Sequence, residues 1–172
     1  MIDADDIRAR LVSAGICRAG DLQGLTANEI AAMEREAGLA FPGQYVEFLR
    51  AAGKSAPGYY DGSIVYGREV LSLGAYFSEE LDREPRLLAP EHTSENENAE
   101  APWRPSAKSF VYFGHGAYHF WYFIADGSDD PLVYSYEITK GPQSVGELTL
   151  SQWISGSIDN LAEELARLER GS

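Results

Sequence analysis

Cysteine occurs once, at Cys17, among the 172 residues of this chain. A single cysteine excludes an intramolecular disulfide and any zinc site built from several thiolates. Positive charge is thin: 14 Lys and Arg stand against 27 Asp and Glu, a formal net charge of −13. Neutralising phosphate takes clustered cations, so this balance argues against direct binding to nucleic acid or to an anionic membrane. It suits solubility, and it leaves room for a basic partner. No apolar run approaches the ~20 residues of a membrane-spanning helix. The longest, His119 to Ala125, is the size of a strand. The opening Met1-Ile-Asp-Ala-Asp-Asp is acidic and has no apolar stretch, unlike a secretory leader. The expected place is therefore the cytoplasm, with no membrane contact.

What is present is ordinary for a folded chain. The length suits one domain. A hydrophobic fraction of 44% is too high for a disordered segment. Asp3 to Ala14 reads as a short helix with Ile7, Leu11 and Ala14 on one face. Thr26-Ala-Asn-Glu29 is a capping box, in which hydroxyl and carboxylate each cap the other's backbone, and Leu25 and Ile30 are placed as a hydrophobic staple. Ile30, Met33 and Ala37 continue the stripe, and Gly38 suits a left-handed helix end. Proline pushes the residue before it out of the helical region, so Leu39-Ala-Phe41-Pro42 is an extended link. A helix over Gly43 to Ala52 follows, burying Tyr45, Phe48, Leu49 and Ala52.

Beyond it the pattern changes. Ser63 to Tyr66 and Val70 to Leu73 read as short strands after a turn at Tyr59 to Gly62, and Ala75 to Arg83 as a helical turn or a loop. Residues 83–106 show no period and hold four of the eight prolines, which predicts a surface loop or insertion. Ser109 to Phe113, Ala117 to Ala125 and Leu132 to Ile138 read as three strands of a meander, with turns at Gly114 to Gly116 and Asp126 to Pro131. Ten of the 20 aromatic residues fall between Phe110 and Tyr136, as in a sheet whose inner face packs on helices. From Leu150 to Leu168 apolar residues recur at helical steps, with Gly156 as a dividing point and Ser157 as the cap of a second helix.

No motif for catalysis emerges. His115 and His119 have the four-residue spacing of a zinc protease, but Gly116 replaces the glutamate and the context is turn and strand. A third metal ligand would have to come from His92, a carboxylate or Cys17, and ordinary hairpin histidines are the simpler reading. Asp126-Gly-Ser-Asp129-Asp130 has its glycine in the wrong place for a calcium loop and reads as a tight turn. No nucleophile elbow, phosphate loop or dinucleotide fingerprint occurs. No enzyme activity and no cofactor are expected.

The run from Leu25 through the Thr26–Glu29 cap, Ile30, Glu34, Gly38, Phe41-Pro42, Tyr45 and Phe48-Leu49 resembles the opening of the SMI1/KNR4, or SUKH, superfamily. Ala52-Gly53-Lys54 keeps only one glycine of the turn that usually follows. Phe113-Gly114, the strand to Ile124, Asp129 to Tyr134 and the closing Leu148 to Leu161 are similar to its later elements. The resemblance implies an α+β fold, a mainly antiparallel sheet with helices packed on it. Its bacterial members are immunity proteins that bind and neutralise a cognate toxin, often a nuclease. Its fungal members are regulatory scaffolds. It carries no catalytic residues.

That resemblance gives the charge a use. A nuclease toxin is positive where it grips phosphate, and an acidic inhibitor complements it. The expected partner is a cognate protein toxin, such as a basic nuclease domain, met by a monomer or weak dimer. The expected contact residues are Glu91, Glu95, Glu97, Glu100, Asp126, Asp129 and Asp130, with Tyr59, Tyr60 and Trp103 as aromatic anchors. Two rivals stand beside it. One is a regulatory or small-ligand module, which requires a pocket lined by Tyr118, Trp121 and Tyr136. The other is a divergent hydrolase, which requires convergent polar groups beside His115 or His119.

Overall fold

The computed structural model describes residues 1–60, 63, 65–83, 108–115, 118–138 and 140–171. Helix α1 spans Ala4–Ser13, and its N-cap Asp3 accepts the Asp6 N–H at 2.8 Å. Helix α2 spans Ala27–Ala37. The Thr26–Glu29 box is formed both ways: Glu29 Oε2 accepts the Thr26 N–H at 2.8 Å, and Thr26 Oγ1 accepts the Glu29 N–H at 3.4 Å. Gly38 ends the helix at φ +68°, a conformation that a Cβ disfavours. Glu34 then accepts the Phe41 N–H at 2.7 Å, which fixes the extended link and turns Phe41 into the core. Helix α3 spans Gly43–Ala52, with Tyr45, Phe48, Leu49 and Ala52 buried as expected.

Strands β1 (Ser109–His115), β2 (His119–Ile124), β3 (Leu132–Glu137) and β4 (Gly141–Thr149) form an antiparallel meander in chain order. Both faces of this sheet are covered, which accounts for its aromatic density. On one face Phe120, Tyr122 and Tyr136 pack on Phe77 of helix α4 (Val70–Arg83) with ring centroids 4.8–5.9 Å apart. On the other, Phe110, Tyr112 and Phe123 meet Tyr45 of α3 at 5.4–6.0 Å. Trp153, on helix α5 (Leu150–Gly171), lies edge-on to Tyr112 and Phe113 at 5.2 and 5.5 Å. A bulge lies between Val111 and Phe113, and Tyr112 and Phe113 both meet Trp153.

Four expectations change. Val70 to Leu73 is the start of α4 and not a strand, and Ser63, Val65 and Tyr66 belong to no strand. A four-residue apolar run does not tell a buried strand from a buried helix. Val70, Leu73 and Phe77, all buried, show the helical spacing once read together. Gly114 and His115 belong to β1, not to a turn. A Cβ on Gly114 would stand 2.8 Å from Leu73 Cδ2, so glycine there lets α4 seat closely on the sheet. Strand β4 was not anticipated. Finally, α5 runs unbroken through Gly156, and Ser157 is a buried mid-helix residue rather than a cap. The true cap is Thr149 with Gln152: Gln152 Oε1 accepts the Thr149 N–H at 2.9 Å, and Thr149 Oγ1 accepts the Gln152 N–H at 3.4 Å.

Candidate partner-binding surface

Two acidic segments that are far apart in sequence meet at one end of the fold, with buried Gln44 at the start of α3 as their junction. Its side chain accepts the Ile2 N–H and donates to the Ile2 carbonyl, both at 2.9 Å. Its backbone N–H donates to the Asp129 carbonyl at 2.8 Å. Glu47, one turn along α3, accepts the Ala4 N–H at 2.9 Å. These bonds draw the first turn of α1, the start of α3 and the β2–β3 turn together. Exposed Asp3, Asp5 and Asp6 thus share an end of the molecule with exposed Asp126 and Asp129. Sequence reasoning found the turn acids and missed those of α1, because only the buried Gln44 joins the two.

The turn acids also hold the fold. Helix α3 begins at Pro42 with no side-chain cap and no acid in its first turn. Asp129 supplies that charge from outside: an ideal Cβ on Gly43 would lie 3.1 Å from its Oδ1. A carboxylate at a helix N-terminus is favoured by the macrodipole. Helix α5 likewise has no acid in its first turn. Half-buried Asp130 accepts from the Ser151 N–H at 2.8 Å and from its hydroxyl at 2.6 Å. Asp126 accepts the Ser128 N–H at 2.9 Å and closes the turn itself.

The tyrosines divide. Tyr59 is fully buried, and its hydroxyl lies 2.6 Å from Ser157 Oγ, which itself donates to the Ile154 carbonyl at 2.8 Å. Tyr59 is therefore a core residue and offers no surface to a partner, contrary to its expected role. Burial pushes its phenol pKa well above the ordinary value of 10. Tyr60 is half-buried, edge-on to Phe113 at 4.8 Å and stacked on Trp153 at 6.2 Å. Its φ of +54° is left-handed, a strained state for a side-chain-bearing residue. Glu91, Glu95, Glu97, Glu100 and Trp103 lie outside the described residues.

The histidines face each other across β1 and β2, His115 opposite His119. Ser63 Oγ lies 2.8 Å from His115 Nδ1. That contact resembles a nucleophile–base pair, but a triad also needs a group orienting the imidazole from its other nitrogen. Among the described residues none bonds His115 Nε2, and no group of three His, Cys, Asp or Glu is placed to hold a metal. The pocket that a small-ligand module would need does not form. Tyr136 packs under α4, whereas Trp121 meets Phe113 and Trp153 on the opposite face of the sheet.

Cations near these surfaces are engaged. Arg10 pairs with Asp159 at 2.7 Å, Lys54 with Glu29 at 2.8 Å, Arg50 with Glu47 at 3.1 Å and Lys140 with Glu137 at 3.0 Å. Such exposed pairs add little stability. At the Gln44 end Arg8 pairs with Asp5 at 3.7 Å, so one of the acids there is partly offset. No helix among the described residues is long and apolar enough to cross a membrane.

An antiparallel meander covered by helices on both faces, with an acidic end, defines an α+β protein. The chain belongs to the SMI1 / KNR4 family (SUKH-1), whose model matches residues 24–156. No curated protein matches the chain.

Proposed function

We infer that this protein is a non-enzymatic binding module of the immunity type, which neutralises a toxin by occupying its basic surface. The observation that carries the reading is the convergence of Asp3, Asp5, Asp6, Asp126 and Asp129 around Gln44. An acidic surface of this kind complements a protein that must itself be positive to grip phosphate. Complementary charge raises association rates by roughly 10 to 10³ and leaves most of the dissociation rate to packed contacts. Family membership supports the same reading, since the SUKH resemblance points to binding rather than catalysis.

The test is protection. Cells that express a basic nuclease toxin domain found encoded next to this chain are expected to survive when the chain is co-expressed. The variant carrying Asp3→Asn, Asp5→Asn, Asp6→Asn and Asp126→Asn keeps its fold by circular dichroism and loses protection. Survival equal to that given by the unaltered protein overturns the electrostatic reading. No protection by the unaltered protein overturns the immunity reading.

A further inference from the structure

The hairpin end of β1 and β2 holds a feature that partner binding does not use. His119 stacks on Trp121 with ring centroids 3.9 Å apart and planes 23° from parallel. Its Nε2 is buried and has no hydrogen-bond partner among the described residues. A neutral imidazole can leave one nitrogen without a proton. An imidazolium cannot: both nitrogens then carry N–H groups, and here one of them would be a charged donor with no acceptor.

The charged groups around His119 do not remove this conflict. Glu137 lies directly opposite on β3, but its carboxylate is already held by Lys140 Nζ at 3.0 Å. His115 lies opposite on β1, bonded through Nδ1 to Ser63, and does not stabilise an imidazolium at His119. Glu164 of α5 acts on Tyr60 instead. Burial lowers the pKa of His119 below its ordinary 6.5, Glu137 works against that shift, and His115 and Lys140 reinforce it.

We propose that the His119–Trp121 stack is an acid-sensitive latch on the β1–β2 hairpin. Taking up a proton from solvent forces Nε2 out to water, separates the stack and uncovers the Trp121 indole face that His119 covers. Above the ordinary imidazole range the latch is closed. It opens as pH falls through the pKa of His119 in the folded protein, because the closed form accepts the proton less readily than the open one. The device is local: among the described residues the ring contacts of Trp121 are with His119, Phe113 of β1 and Trp153 of α5.

Nuclear magnetic resonance of the full chain from pH 8 to 5 tests it. His119 is expected to titrate below 6.5, with the Trp121 indole N–H shifting at the same midpoint. Amide exchange across residues 113–115 and 118–121, corrected for its intrinsic pH dependence, is expected to accelerate about tenfold or more while α1 to α3 stay protected. His119→Gln, which cannot be protonated, is expected to abolish both changes. If that variant does not fold, the unaltered protein's titration decides alone. Titration of His119 at or above 6.5 overturns the proposal. So does a Trp121 signal that stays fixed while His119 titrates, since Glu137 would then have accepted the proton's charge with the stack intact.

Discussion

Asp130 is the acid whose removal separates folding from partner binding most sharply. Its carboxylate takes two short bonds from Ser151, at 2.8 Å from the backbone and 2.6 Å from the hydroxyl. Ser151 is only 7% exposed, so Asp130→Ala leaves a nearly buried N–H without a partner at the start of a 22-residue helix. A hydrogen bond to a charged group is worth about 1.5–3 kcal/mol, and an orphaned donor costs about 1–3 kcal/mol. Because the Thr149–Gln152 cap remains and the Ser151 hydroxyl can turn to water, a loss of about 2–4 kcal/mol is expected. For a chain of this size that lowers Tm by roughly 5–12 °C. Asp126→Ala, which opens only an exposed turn, is expected to cost under about 1 kcal/mol. Urea unfolding followed by tryptophan fluorescence measures both. A loss below about 0.5 kcal/mol for Asp130→Ala, or equal losses for the two variants, refutes the claim that Asp130 caps α5 from a distance.

Other perturbations read other joints of the fold. A Cβ on Gly24 would stand 1.6 Å from the Arg50 carbonyl oxygen, so Gly24→Ala is expected to lower the urea midpoint by more than about 2 kcal/mol in stability. Ser157→Ala strands the buried Tyr59 hydroxyl, whereas Tyr59→Phe leaves Ser157 still donating to Ile154. Calorimetry should therefore rank the serine variant as the more destabilised, by about 1 kcal/mol. Glu29 is held down to about 2 by hydrogen bonds from the Lys54 side chain and from Thr26. Its contribution to stability is present above its unfolded value near 4.5 and is lost as pH falls through about 2. A carboxyl titration by nuclear magnetic resonance checks this, and the Lys54→Met variant should return the midpoint towards 4.5.

The parts of the fold that were legible are those whose signals are local. The Thr26–Glu29 box, Gly38 and the apolar-Pro link name α2, its end and the start of α3 without reference to anything distant. Strands β2 and β3 announce themselves by aromatic density. Strand β4 does not: Gly141, Pro142 and Gly146 disfavour a strand reading, and they are tolerated because β4 is an edge, where a missing ladder N–H costs little. Helix α4 was misread because its first turn alone looks like a strand. Gly156 by itself predicts a break, yet the buried Ile154 and Ile158 on either side carry the helix across it. The acidic end was half legible. The turn acids stand together in sequence, but their meeting with α1 depends on the hydrogen bonds of Gln44, a polar residue that no hydrophobic pattern marks. Tyr59 was mistaken for surface because the partner that buries it, Ser157, lies 98 residues away.

The most direct test of the proposed role is the association rate with a basic toxin domain against which the chain protects cells, measured by stopped flow across a range of salt concentrations. Electrostatic capture by the acidic end predicts a rate that falls steeply with salt and drops about 10-fold or more when Asp3, Asp5, Asp6 and Asp126 are neutralised together. A rate unaffected by salt and unaltered in that variant contradicts the account.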